Sequence, residues 1–211
     1  GKDIIKKCAN VPLAIRVIGG LLYRQDISKW REVQKFEFAN LSEGENGIIP
    51  ILKLSYHNLE LPLKSCFSYC SLFPKDFKIY KKELIRLWIA QGYVVSRGNG
   101  QSVEDAGEEY FLVLLQRGFF QDVKKYESGE IESFKLHDLM HDVALGVSNK
   151  EICPTISFTR DMDKVVRHVS LTSEQYANFN LNNAHVRTIL RIGSLKSAFD
   201  YTVPPFLEKC R

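Results

Sequence analysis

Nothing in these 211 residues has the form Gly-x4-Gly-Lys-Ser/Thr, and no apolar strand ends in an aspartate placed to hold magnesium. ATP hydrolysis by this chain alone is therefore not expected. Long hydrophobic runs are missing too. The longest, Val11 to Leu22, is short for a bilayer and is interrupted by Arg16, and no secretory leader is visible. Charge of one sign is scarce: a net charge of +4 is too mild to name a partner, and a nucleic-acid binder more often shows a concentrated basic face. The five cysteines are odd in number, and Cys66 and Cys70 sit four apart in an apolar helical run. That arrangement suits reduced, buried thiols and a cytoplasmic setting rather than a disulfide framework.

What is present is the composition of an ordinary globular protein, 45% hydrophobic and 26% charged, long enough for one or two domains. The chain opens within a helical pattern, without Met, and stops inside a repeat-like unit, so it reads as a piece of something longer. Apolar residues recur at helical spacing from Ile4 to Tyr23, interrupted at Asn10-Val11-Pro12, where Asn10 can cap and Pro12 suits a first helical position. Two short helices with a tight joint are expected there, and another helix over Ile48 to Asn58. A further one passes through Cys66, Phe67, Cys70 and Phe73 and ends at Pro74, and the next covers Lys81 to Gln91 and closes at Gly92. Ser102 and Asp105 form a candidate capping box for a helix that runs to Arg117 and stops at Gly118. Two β-prone runs follow, Phe119 to Tyr126 and Ile131 to Leu136, joined by Glu127-Ser128-Gly129-Glu130 as a hairpin turn. Helices followed by a hairpin and one more helix make a winged-helix outline.

Past Asn149 short β-branched runs appear at Thr155 to Thr159, Val166 to Leu171 and Val186 to Ile192. The second and third begin alike, Val166-Arg167-His168-Val169 and Val186-Arg187-Thr188-Ile189, and start 20 residues apart, within the period of leucine-rich repeats.

Chemistry concentrates in Phe134 to Leu145, read as helical, where His137 and His141, and Asp138 and Asp142, recur at a spacing of four. Leu136, Leu139, Met140, Val143, Ala144 and Val147 fall on one apolar stripe about 140° wide. Both histidines lie on its border, half shielded. Both aspartates point further toward water or a partner. Such a segment suits a metal site, a phosphate sensor or a plain polar flank.

Four motifs decide among these: Asn10-Val11-Pro12-Leu13-Ala14; Cys66-Phe67-Ser68-Tyr69-Cys70-Ser71-Leu72-Phe73-Pro74-Lys75-Asp76-Phe77; Leu84-Ile85-Arg86-Leu87-Trp88-Ile89-Ala90-Gln91-Gly92; and Met140-His141-Asp142. In this order and spacing they resemble plant NB-ARC leucine-rich-repeat disease-resistance proteins, of the coiled-coil-bearing branch more than the one with a TIR domain. The resemblance implies a mainly α fold: a helical ARC subdomain ending near residue 60, a winged-helix subdomain with a β-hairpin wing over 61–149, and the first strands of a leucine-rich repeat over 150–211. It also implies a nucleotide-operated switch, in which ADP holds a closed, silent state and exchange for ATP permits opening, oligomerisation and an immune response.

By that resemblance Pro12 packs against adenine and His141 touches the β-phosphate of ADP. Asp142 supports the closed arrangement, and Met140 belongs to the core beside it. Asn10-Val11 stands where the family usually has Gly-Leu. Pro12 also reads as a plain helix-starting proline, His141 as a satisfied border histidine and Asp142 as a solvated aspartate. His137 and Asp138 are expected to orient rather than react; Trp88, Phe67, Phe73 and the cysteine pair are expected in the core. The implied partners are an upstream nucleotide-binding domain, downstream repeats, and a pathogen effector or guarded host protein. With one wall of the pocket, this chain is expected to bind ADP weakly on its own.

Two readings from other classes remain. His137-Asp138 and His141 imitate His-Glu-x-x-His of a metal hydrolase, although the carboxylate is one methylene shorter and a third ligand is lacking. A DNA-binding winged helix would send the Ser102 to Arg117 helix into the major groove. That helix carries Glu104, Asp105, Glu108 and Glu109 against Arg117, which repels phosphate, and Lys124 and Lys125 on the wing do not reverse the balance.

Overall fold

The computed structural model describes residues 5, 8, 11–23, 25–28, 30, 31, 48–98, 100–148, 151–154, 165–177 and 186–193. Asn10 and Thr155 to Thr159, singled out above, and Cys210, the last of the five cysteines, lie outside them. Among the described residues the architecture is mixed, helices with two small three-stranded sheets, rather than a mainly α fold.

Helix α1 spans Pro12–Leu22, with Pro12 in its first turn where the missing amide proton costs nothing. Its N-cap is Val11, which offers no side-chain bond. One face of α1 is buried through Leu13, Ala14, Val17, Ile18, Leu21 and Leu22, against α2 (Ile48–His57). At Gly20 the helix meets the end of α5 (Val103–Gln116) so closely that a Cβ would lie 2.5 Å from the Gln116 carbonyl oxygen. Arg16 reinforces the contact, donating from Nη2 to the Phe120 carbonyl at 2.9 Å.

Helix α3 (Leu61–Tyr69) continues as a 3-10 turn at Cys70–Leu72, which Pro74 ends. A two-residue strand, β1 (Ile79–Tyr80), precedes α4 (Lys81–Ala90), and Gly92 then adopts φ 72°, the left-handed geometry that stops a helix. The capping box of α5 forms as expected. The Asp105 amide donates to Ser102 Oγ at 3.0 Å and the Ser102 amide to Asp105 Oδ2 at 3.4 Å. Gly118, at φ 77°, then turns the chain into an antiparallel pair, β2 (Phe120–Lys125) and β3 (Ile131–Leu136). Register slips between Gln121 and Lys124, where Asp122 sits at φ 50°, an irregularity absent from the alternation in the sequence. β1 adds to the far edge of β3, giving the order β1-β3-β2. Sequence reading passed over β1, because two residues carry no periodicity.

Helix α6 spans Asp138–Val147. It buries Met140, His141, Val143 and Ala144 against the 3-10 turn, α2 and α3. Phe67, Cys66, Cys70, Phe73 and Trp88 lie at 2% exposure or less in the same core, which also takes in Leu13, Val17 and Leu52 from the first two helices. Cys8, Cys66 and Cys70 are buried free thiols, and burial pushes those of Cys66 and Cys70 well up. Finally β4 (Ile152–Cys153), β5 (His168–Thr172) and β6 (Thr188–Ile192) form a parallel sheet, with a short helix α7 (Ser173–Ala177) between the last two. His168 pairs with Thr188 and Thr172 with Ile192. The 20-residue spacing seen in the sequence is thus the register of the β5–β6 ladder. Among the described residues, no helix is long and apolar enough to cross a membrane.

Candidate functional site

The segment expected to be one continuous helix is divided. Phe134, Lys135 and Leu136 belong to β3, and His137 stands outside α6 as its N-cap, with φ −66° and ψ 138°. Its Nδ1 accepts the Leu139 amide at 3.3 Å, which satisfies one of the open amide groups of the first helical turn. The two histidines therefore do not share a helical face, and the spacing that imitated a metal-hydrolase motif does not survive the strand-to-helix corner. Burial and the neighbouring Arg16 charge lower the pKa of His137, while Asp138 and Asp122 act against them.

His141 is also placed differently from expectation: it is 2% exposed, inside rather than on the border. Nε2 lies 2.9 Å from the carbonyl oxygen of Phe73, 68 residues earlier. A carbonyl only accepts, so Nε2 carries the proton and donates. Nδ1 is buried and has no hydrogen-bond partner among the described residues. Burial lowers the pKa of this imidazole, opposed by the Phe73 carbonyl and by Asp142; Lys75 reinforces the lowering, and Asp138 opposes it. The resting ring is thus neutral at pH 7, with a lone pair on a shielded nitrogen.

Asp142 faces outward, 43% exposed, and Lys75 Nζ lies 2.7 Å from its Oδ1. The same oxygen is 4.0 Å from His141 Nδ1. Asp138 is half-buried, and its Oδ1 is shielded without a partner. Met140 is fully buried, as expected of a core residue. Pro12 lies exposed at the start of α1. No described contact joins it to His141, and neither residue lines either of the two described cavities. One of these, of about 260 Å³, is bordered by Lys64, Ser68, Tyr93, Glu151 and His168. The other, of about 490 Å³, lies between α4 and α5.

Sequence reasoning missed two groups that hold the site, the Phe73 carbonyl and Lys75. Both sit in Phe73-Pro74-Lys75-Asp76-Phe77, quoted above as a motif but credited only with a core phenylalanine. A lysine and an aspartate after a proline that ends a helix were the available signal, since such a turn exposes its side chains to whatever packs across it. It missed His168 as well. That ring, 4% exposed, has Nε2 3.0 Å from Tyr93 Oη and Nδ1 3.2 Å from Thr188 Oγ1, and Tyr69 stands edge-on to it at 5.4 Å.

The helix that a DNA-binding reading would place in the major groove exposes Glu104, Asp105 and Glu109, with Glu108 held by Lys81 at 2.7 Å. Lys124 and Lys125 are exposed on β2. The acidic surface of α5 opposes a phosphate backbone.

Comparison with known proteins adds the following. Residues 72–144 match the winged helix domain of disease resistance proteins. The chain is 47% identical over 145 residues to a putative disease resistance protein, RGA4, of Solanum bulbocastanum, covering 68% of this chain and 14% of that one. It is 38% identical over 213 residues to disease resistance protein RGA2 of the same plant, covering 99% of this chain and 19% of the relative. Similarity extends to disease resistance protein RPP13 of Arabidopsis thaliana, 31% identical over 215 residues, 96% of this chain and 24% of the relative. The chain therefore spans no more than about a quarter of the length of these three relatives.

Proposed function

Since the chain belongs to the plant disease-resistance protein family and carries that family's winged-helix domain over residues 72–144, we propose that it is the phosphate-reading and transmitting part of a nucleotide-operated immune receptor. In this reading residues 1–60 end a helical ARC subdomain, residues 61–149 form the winged-helix subdomain, and residues 150–211 begin a leucine-rich repeat. The parallel ladder of β5 and β6, in register at a 20-residue spacing, supports the last assignment.

The observation that carries the proposal is the half-used imidazole of His141. A buried polar atom without a partner is costly, on the order of 1 to 3 kcal/mol, and calls for an explanation. A ligand oxygen supplies one. The donor set fits a diphosphate in one protonation state only: Nε2 is committed to Phe73, so Nδ1 must take up a proton before it can donate to an anion. The bound nucleotide, ADP in the silent state and ATP in the active one, would supply the negative charge that stabilises the imidazolium. Pro12, whose ring is exposed at the start of α1, offers an apolar face for adenine. His141 sits on α6, which packs on the 3-10 turn, α2 and α3, so a change at the ring is passed to the body of the winged helix as a rigid-body displacement.

The role is that of a switch and not of an enzyme. The phosphate loop belongs to an upstream nucleotide-binding domain, and the downstream repeats meet a pathogen effector or a guarded host protein in the cytoplasm. Activation proceeds by opening and oligomerisation.

In the intact receptor, His141→Ala should weaken ADP by roughly 10- to 150-fold at pH 7, the size of one charge-assisted hydrogen bond of about 1.5 to 3 kcal/mol. ADP affinity of the wild type should rise as pH falls from 8 to 6.5, because binding takes up a proton, and the substituted protein should lack this slope. Equal ADP affinity of the two proteins across that range, by calorimetry, would end the nucleotide reading.

A further inference from the structure

The turn that supplies the Phe73 carbonyl is a built piece of structure. The Phe77 amide donates to the Pro74 carbonyl at 3.2 Å, and the rings of Phe73 and Phe77 stack with centroids 5.7 Å apart. Asp76 holds φ 61°, in the left-handed region where a residue with a Cβ is strained, and Lys135 of β3 reaches its carboxylate at 3.2 Å. Held at both ends, the turn presents two groups to neighbouring residues of α6. The Phe73 carbonyl takes His141 Nε2, and Lys75 Nζ takes Asp142 Oδ1.

One oxygen of Asp142 is therefore shared unequally, at 2.7 Å from Lys75 and 4.0 Å from His141 Nδ1. We propose that Lys75 is a positioning residue for His141: by anchoring the Asp142 carboxylate, it keeps that carboxylate from closing onto the buried Nδ1 and so leaves Nδ1 unpaired, reserved for an anion. Without Lys75 the carboxylate has no competing cation and rotates onto the ring. The imidazole is then held at both nitrogens, by a carbonyl on one side and a carboxylate on the other. Such a ring is internally satisfied and favours the protonated form, and a phosphate would have to displace Asp142 to reach it.

The charges that face this ring are Asp142 and Asp138 from its own helix and Lys75 from the turn. Lys53 and His57 of α2 and Lys64 of α3, on the other two helices packed against α6, are not among those acting on it. The balance at Nδ1 is thus a three-way matter of one lysine and two aspartates. This inference rests on the reading of His141 as the phosphate contact for its purpose, but the device itself can be tested without nucleotide.

The test is an NMR titration of the histidine side chains of this chain, with the His141 signal assigned by its loss in His141→Ala. Lys75 is 43% exposed, so Lys75→Met leaves the core untouched. The midpoint of His141 should rise by about one pH unit or more in Lys75→Met. It should stay near the wild-type value in Lys75→Arg, and should fall back in the double variant Lys75→Met with Asp142→Asn. An unmoved midpoint in Lys75→Met, or an equal rise in the double variant, overturns the proposal. In the intact receptor Lys75→Met should weaken ADP several-fold and the double variant should recover it. Should His141→Ala leave ADP binding unchanged while the midpoints behave as stated, the nucleotide reading fails and the positioning role of Lys75 stands.

Discussion

Two buried histidines lie in different regions of the chain, and their surroundings differ in one respect. His168, at the start of β5, and His141, in α6, are 4% and 2% exposed, and burial lowers the pKa of both. His168 has a hydroxyl at each nitrogen, from Tyr93 of the winged-helix region and Thr188 of the neighbouring strand. A hydroxyl both donates and accepts, so this ring is satisfied in either neutral tautomer. It works as a joint between the winged helix and the parallel sheet. His141 has a carbonyl on one side, an orphaned nitrogen on the other, and a carboxylate held out of reach. Equal burial thus accompanies unlike hydrogen bonding, complete at His168 and half used at His141.

Removing each ring is the most forceful way to break this comparison. His168→Ala strips both hydroxyls of a partner and opens a gap beside Tyr69, and should cost about 3 kcal/mol of folding stability. His141→Ala, with no ligand present, opens a comparable gap but frees only the Phe73 carbonyl, and should cost about 2 kcal/mol. Urea denaturation of the two variants measures the contrast, and equal losses would show that His141 is as fully integrated as His168.

Acid should act on both regions, more weakly. A ring whose pKa is depressed in the folded state binds fewer protons there than when unfolded, so its contribution is present above the unfolded value of about 6.5 and is lost as pH falls toward the folded one. His137, His141 and His168 are all shifted this way. Stability should therefore decline between pH 7 and pH 5, by at most about 1.4 kcal/mol per ring for each unit of depression. Less of the decline should remain in His168→Gln, whose amide does not titrate. A thermal-denaturation series with no downward slope below pH 6.5 would contradict the burial of these rings.

The smallest change sharpens the comparison at a single atom. Tyr93→Phe removes one hydroxyl and leaves His168 in the position His141 already occupies, with one nitrogen bonded and the other not. A loss of about 1 kcal/mol is expected in denaturant. A loss near zero would mean that water readily replaces the hydroxyl through the adjoining cavity of about 260 Å³.

Much of the framework was legible because its causes are local. The capping box at Ser102 and Asp105, the stops at Gly92 and Gly118, and the turn between β2 and β3 each depend on residues within a few positions of one another. The likeness of Val166-Arg167-His168-Val169 to Val186-Arg187-Thr188-Ile189 also has a structural counterpart, since His168 pairs with Thr188 and Val169 with Ile189 in the β5–β6 ladder. The boundary at His137 was misread for a specific reason. Leu136 suits either a helical stripe or a strand facing the core, and only its pairing with Phe120 across the hairpin decides between them. Pro12 was legible as a helix start, and Val11 takes the N-cap position, while Asn10 lies outside the described residues.

From sequence alone came the order of helices and hairpin and the candidacy of His141, because helix and strand periods and caps act over three or four residues. Tertiary structure alone determined which nitrogen of His141 is free and which cation holds Asp142. Those answers depend on a turn 68 residues away whose carbonyl and lysine meet α6 only once the core has closed. Hydrogen bonding is short-ranged in space and indifferent to distance along the chain, so local patterns could nominate the imidazole and could not say what remained for it to bind.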